Sequence, residues 1–144
     1  RRSRAAARRS RSPPSRRPCP LVPENTTAAG RRGEDLARRH LESQGLEFLE
    51  RNYRCRAGEI DLVMLEGTTL VIVEVRSRAS AEHGGAAATV GPRKQRRFIL
   101  AARHLMLTRP AYRRLAARFD VVAIDASGHD APPVVTWIRD AFRA

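Results

Sequence analysis

Residues 58–78 read GEIDLVMLEGTTLVIVEVRSR. Two apolar runs of strand length flank Glu66-Gly67-Thr68-Thr69, a pattern that predicts a β-hairpin. With Gly67-Thr68 as a two-residue loop and Gly67 at the first central position of a type II′ turn, Glu66 pairs with Thr69. Counted back from there, the register sets Asp61 opposite Glu74 and Glu59 opposite Arg76. Side chains alternate between faces, so these four charged residues share one face, while Ile60, Leu62, Val71, Val73 and Val75 take the other. A three-residue loop would set Asp61 beside Val73 or Val75 and scatter the charges.

Two carboxylates directly opposite one another on neighbouring strands repel. Protonation of one relieves the repulsion, and so does a cation between them. A hard divalent ion such as Mg²⁺ takes carboxylate oxygens and keeps several waters. A third reading makes Glu59, Glu74 and Arg76 a surface patch of ion pairs. Against it stands the position of Glu74 inside LVIVEV, a run apolar on both faces, as in a central strand.

On the N-terminal side, residues 28–44 carry Gly33, Leu36, Ala37, His40 and Leu41 at helical spacing, and Gly45 is placed to stop the helix. Residues 46–53 alternate as a strand. Beyond the hairpin, SRASAEHGGAAATVG reads as a mobile loop centred on Gly84-Gly85. Pro92 fits the first position of a second helix over 92–108, with Phe98, Ala101, Ala102 and Leu105 as its buried stripe. The segment AYRRLAARF continues the helical pattern into a strand at about residues 118–125. A last edge strand follows Pro132-Pro133. The order is αβββαβ(β), a mixed β-sheet flanked by helices in the α/β class.

The chain has 144 residues and a formal net charge of +13. Residues 1–20 hold eight arginines and no acid, which leaves 20 basic and 15 acidic residues in the remainder, a net of +5. Residues 1–27, rich in Arg, Ser and Pro and without hydrophobic periodicity, are expected to be disordered, and residues 28–144 to form one domain. The tail fits a basic arm on nucleic acid, an organelle transit peptide or sequence upstream of the true start. A moderately basic body suits a polyanionic partner. Cys19 and Cys55 fit free thiols in a reducing cytoplasm. No apolar run is long enough for a membrane span. The four histidines are scattered, and neither a phosphate-cradling glycine loop nor a serine–histidine elbow is present, so no small-molecule cofactor is expected. Of the 28 cationic residues 27 are arginine, and the exception is Lys94.

An acid ahead of a turn, then Glu-x-basic at the end of the next strand, resembles the PD-(D/E)XK nuclease core. More narrowly, GRRGEDLARRHLESQG, NYRCRAGEIDLV, VIVEVRSR, KQRRFILAARHL and RFDVVAI occur in order, and the chain from Gly30 onward is similar to the YraN family of small bacterial nuclease-like proteins. The resemblance implies a restriction-endonuclease-like αβββαβ core, grouped by fold with Holliday-junction-resolvase-like nucleases. It implies Mg²⁺ or Mn²⁺ held by Asp61, Glu74, the carbonyl of Val75 and the helix-borne Glu34. The seven-residue interval from Glu34 to Leu41 also puts Glu34 beside the buried stripe. The other reading of Glu34 is a negative charge favourable in a helix's first turn. Glu59 either assists the metal or pairs with Arg76.

Lys94 and Gln95, with Arg97 beside them, resemble the basic-polar element that such nucleases bring to the phosphate. Arg76 stands where the superfamily usually has lysine. Arginine does not act as a base but does hold a phosphate, and a metal lowers the pKa of its own water. Asp61, Glu74 and Arg76 are thus the implied catalytic set of a Mg²⁺-dependent endonuclease on structured DNA. The alternative is a catalytically inactive nucleic-acid-binding module of the same fold. Resolvase-like nucleases are often dimers, which implies a homodimer.

Overall fold

The computed structural model describes residues 28–78, 91–126 and 131–143. The tail at 1–27 and the loop centre at Gly84-Gly85 lie outside them. The first helix, α1 (Ala28–Ser43), precedes three strands, β1 (Glu47–Cys55), β2 (Gly58–Glu66) and β3 (Thr69–Arg78). The second helix, α2 (Pro92–Thr108), leads through a 3₁₀ turn (Pro110–Tyr112) to β4 (Ala116–Asp125) and β5 (Val134–Phe142). The five strands form one sheet in sequential order. β3 and β4 run parallel, and the other neighbours are antiparallel. This is the mixed sheet with flanking helices expected of a restriction-endonuclease-like αβββαβ core.

β3 is apolar on both sides because each face is covered by a different helix. Leu70 and Ile72 pack with Phe98, Ala101, Ala102 and Leu105 of α2, together with Phe119, Val121 and Phe142. Val71 and Val73 pack with Ala37 and Leu41 of α1, together with Val122 and Ile124. The alternation along β3 therefore sorts its side chains between two cores.

The element ends follow local chemistry. Gly45 has φ +90°, and its N–H donates to the Glu42 carbonyl at 3.0 Å while the Leu46 N–H donates to the Leu41 carbonyl at 3.1 Å. That is a Schellman C-cap, and Leu41 and Leu46 pack in the same core. At the hairpin, Gly67 has φ +59° and Thr68 is not left-handed, as a type II′ turn requires. The second helix ends at Thr108, where its sequence pattern places the end. Arg109 precedes Pro110 and is extended (φ −114°, ψ 100°), because proline disfavours a helical residue before it. Residues 111–117, expected to continue the helical pattern, instead run through the end of the 3₁₀ turn into the start of β4.

Candidate nucleic-acid interface and its acid pocket

The hairpin register holds over five pairs, from Glu66–Thr69 to Leu62–Val73. It stops one pair short of Asp61 and Glu74. There β2 changes the side it presents: Val63 faces the α2 core and Leu62 the α1 core, but Ile60 faces α2 again. The inversion falls at Asp61. On β1 the irregularity is matched by Asn52, between the paired Arg51 and Tyr53, with a left-handed φ of 54°. Asparagine tolerates that conformation better than most residues.

The consequence is a wedge rather than a ladder rung. The Val75 N–H donates to Asp61 Oδ2 at 2.7 Å, so the aspartate takes the place of a strand-pairing acceptor. Glu74, 4% exposed, projects on the α2 side and forms an ion pair with Lys94 from the second helix. Glu34, 6% exposed, reaches in from α1, where it accepts a hydrogen bond from Asn52 Nδ2 at 2.9 Å. Glu34 is the seventh residue of α1, beyond its first turn, so the helix-start reading of this acid does not hold. Burial, then the neighbouring charge of Glu74 and, less, that of Glu34, push the Asp61 carboxyl up to about 7; the Val75 N–H, which outweighs Glu34, and then Lys94 pull the other way.

The sequence-derived residues therefore divide. Glu34, Asp61, Glu74, Val75 and Lys94 come together where β2 and β3 part. Arg76 follows two residues along β3, half-buried beside Ala123 of β4. Gln95 is half-buried in the first turns of α2. Arg97 is exposed and donates from Nε to the Ala57 carbonyl at 3.3 Å. Glu59 stands opposite Arg54 on β1, its carboxylate 3.5 Å from the guanidinium and its side chain 64% exposed. The hairpin ladder does not extend to Glu59 and Arg76.

Two features escaped sequence reasoning. Asn52 gave no periodic signal, because a left-handed residue inside a strand leaves the polar–apolar pattern almost unchanged. Asp120 did give one: it sits in RFDVVAI as Glu74 sits in LVIVEV, a carboxylate inside a buried strand. Asp120 is fully buried and receives a bidentate pair from Arg118 at 2.9 Å, the Trp137 indole N–H at 2.9 Å and the Asp140 N–H at 3.0 Å. Arg118 also reaches Glu66 at 2.5 Å. The cluster ties β4 to β5 and to the end of β2, and it is a structural clasp.

The acid pocket does not fit a divalent ion as arranged. Glu74 is engaged by Lys94, Asp61 by the Val75 N–H and Glu34 by Asn52. Among the described residues no three His, Cys, Asp or Glu side chains converge as a ligand set.

A five-stranded mixed sheet between two helices, with an Asp and a Glu at the parting of its hairpin and a helix lysine on the Glu, defines a restriction-endonuclease-like protein of the PD-(D/E)XK kind. The profile described as "Uncharacterised protein family UPF0102" matches residues 33–124. The chain belongs to this family, the YraN family that its sequence resembles. It is 53% identical over 116 residues to a UPF0102 protein of Herminiimonas arsenicoxydans, covering 80% of this chain and 86% of that protein. A UPF0102 protein of Pseudomonas aeruginosa is 45% identical over 121 residues, covering 84% and 97%. One of Dechloromonas aromatica is 46% identical over 121 residues, covering 84% and 93%. No helix among the described residues is long and apolar enough to cross a membrane.

Proposed function

We propose that this chain is a nucleic-acid-binding module of the restriction-endonuclease-like fold, with structured DNA as its ligand class. The observation that carries the reading is an arginine rim on α2 and the β1–β2 turn. Arg93, Arg96 and Arg97 flank Lys94 along the first turns of α2, Arg56 lies on the turn whose Ala57 carbonyl accepts from Arg97, and all four are exposed. Turn and helix are locked against each other. A Cβ on Gly58 would lie 2.9 Å from the Arg97 carbonyl oxygen, so only glycine allows the approach. A fixed set of cations on a body of net +5 suits phosphates.

The aromatic side chains support phosphate contact over base stacking. Phe98, Phe119 and Phe142 pack on one another. Arg38 covers Phe48, and Arg139 covers Trp137. The Tyr53 hydroxyl is 2.5 Å from His104 Nδ1, and Tyr112 packs on the core. None of the seven is offered to a base beside the rim.

Fluorescence anisotropy with labelled branched, nicked and linear duplexes tests the reading. Binding should weaken steeply as salt rises, and the combined variant Arg93→Gln, Arg96→Gln, Arg97→Gln should lose most of the affinity and flatten the salt slope. No binding to any of the three DNAs at low salt would refute it. A homodimer, by analogy with resolvase-like nucleases, is decided by sedimentation velocity.

The second reading is phosphodiester hydrolysis with Mg²⁺ or Mn²⁺, with Asp61, Glu74, Glu34 and the Val75 carbonyl as ligands and Arg76 on the phosphate. The wedged position of Asp61 between two further carboxylates favours it. Metal-dependent cleavage that persists in Asp61→Asn would sink it.

A further inference from the structure

We propose that Lys94 is the resident cation of the acid pocket and excludes divalent ions from the free protein. Glu74 is almost fully buried, and a buried carboxylate requires a positive partner or a proton. Lys94 supplies the charge from the first turn of α2, with its own side chain 53% exposed. In a chain whose other 27 cations are arginine, the one lysine stands at a position that meets this buried acid. The chemistry fits the choice. An ammonium is a compact point charge on a flexible four-carbon stem, able to reach down to a single carboxylate oxygen, whereas a guanidinium brings a wide planar fork.

The remaining acids are also held from within the protein. Asp61 is fixed by a backbone N–H and Glu34 by Asn52. A divalent ion approaching Asp61 and Glu74 would therefore meet an ammonium already on Glu74, and like charges at ion-pair distance repel strongly in a partly buried site. The opposing positive charge in the disagreement between the family's implied metal and this arrangement of acids comes from a side chain on α2. The inference concerns the protein without nucleic acid and stands apart from the DNA-binding reading.

The test is a Mn²⁺ titration of the whole chain without nucleic acid, followed by the loss of the free-ion electron paramagnetic resonance signal. Lys94→Met keeps the length of the side chain and removes the charge. It should bind Mn²⁺ about tenfold or more tightly than wild type, as expected when a like charge leaves a shared site. Adding Asp61→Asn to Lys94→Met should abolish the gain, which places the ion in this pocket. Circular dichroism checks that each variant folds, and Lys94→Gln repeats the comparison if the methionine variant does not. Equal Mn²⁺ binding by wild type and the neutral variant, or none by either, overturns the proposal. Loss of DNA binding in a separate anisotropy assay would bear on the nucleic-acid reading and leave this result intact.

Discussion

Asp61→Asn should make the folded protein more stable at neutral and alkaline pH, and the gain should disappear in acid. In the fold the Asp61 carboxyl is held at about 7 instead of its ordinary 3.8, first by burial and then by Glu74 and Glu34. Between those two values the folded chain binds more protons than the unfolded chain, so this group's contribution to stability falls as pH rises. Below about pH 4 both states are protonated and nothing is lost. Above about pH 7 the full cost of the ionised carboxylate is present, with a ceiling of about 4 kcal/mol at roughly 1.4 kcal/mol per pH unit. Asparagine does not titrate, and its carbonyl oxygen still accepts the Val75 N–H that Asp61 Oδ2 accepts at 2.7 Å. The variant should therefore gain about 2–4 kcal/mol at pH 8 and close to nothing at about pH 4. Urea unfolding followed by Trp137 fluorescence and far-ultraviolet circular dichroism at a series of pH values measures the difference directly. An asparagine variant less stable than wild type at pH 8, or a difference that stays flat across the range, would show that the ionised Asp61 carboxylate carries no such cost.

Gly58→Ala should cost about 1–3 kcal/mol, because its Cβ would lie 2.9 Å from the Arg97 carbonyl oxygen and neither backbone yields easily. Gly33→Ala makes the contrast: its closest approach, to Ser77 Oγ, is relieved by a side-chain rotation, so urea midpoints should separate the two variants. Asp120→Asn should destabilise by about 3 kcal/mol, since it leaves the Arg118 guanidinium without its buried carboxylate. A loss below about 0.5 kcal/mol, the level of an ordinary surface change, would show that Glu66 alone satisfies Arg118.

The hairpin and much of what surrounds it were legible in the residues alone. Only glycine takes φ +59° at Gly67 without strain, so the two-residue turn and the register from Glu66 to Leu62 follow from local chemistry. The double-sided apolar run of β3, the stripe Phe98–Leu105 and the Gly45 stop placed the central strand and both helices for the same reason: periodicity and caps are local properties. The singular position of Glu74 was legible because a carboxylate inside such a run needs an explanation.

How that carboxylate is satisfied emerges only in the assembled fold. Extending the register predicted a face-to-face pair of acids. The β2–β3 ladder instead ends one pair short of Asp61, which lies across from the left-handed Asn52 and takes the Val75 N–H, so the pair becomes a wedge. Periodicity has no term for a ladder that parts while its strands stay buried. The partner of Glu74 comes from Lys94, 20 residues away on another element, and that of Glu34 from Asn52, 18 residues away. Such contacts depend on where helices land on the sheet. The proline that ended α2 was visible in the sequence, but the helical pattern beyond it was equally visible, and the packing of β4 against β3 settled the conflict. Charge-pair geometry is long-range and set by the assembled fold, which is why the acids could be singled out from sequence but their partners could not.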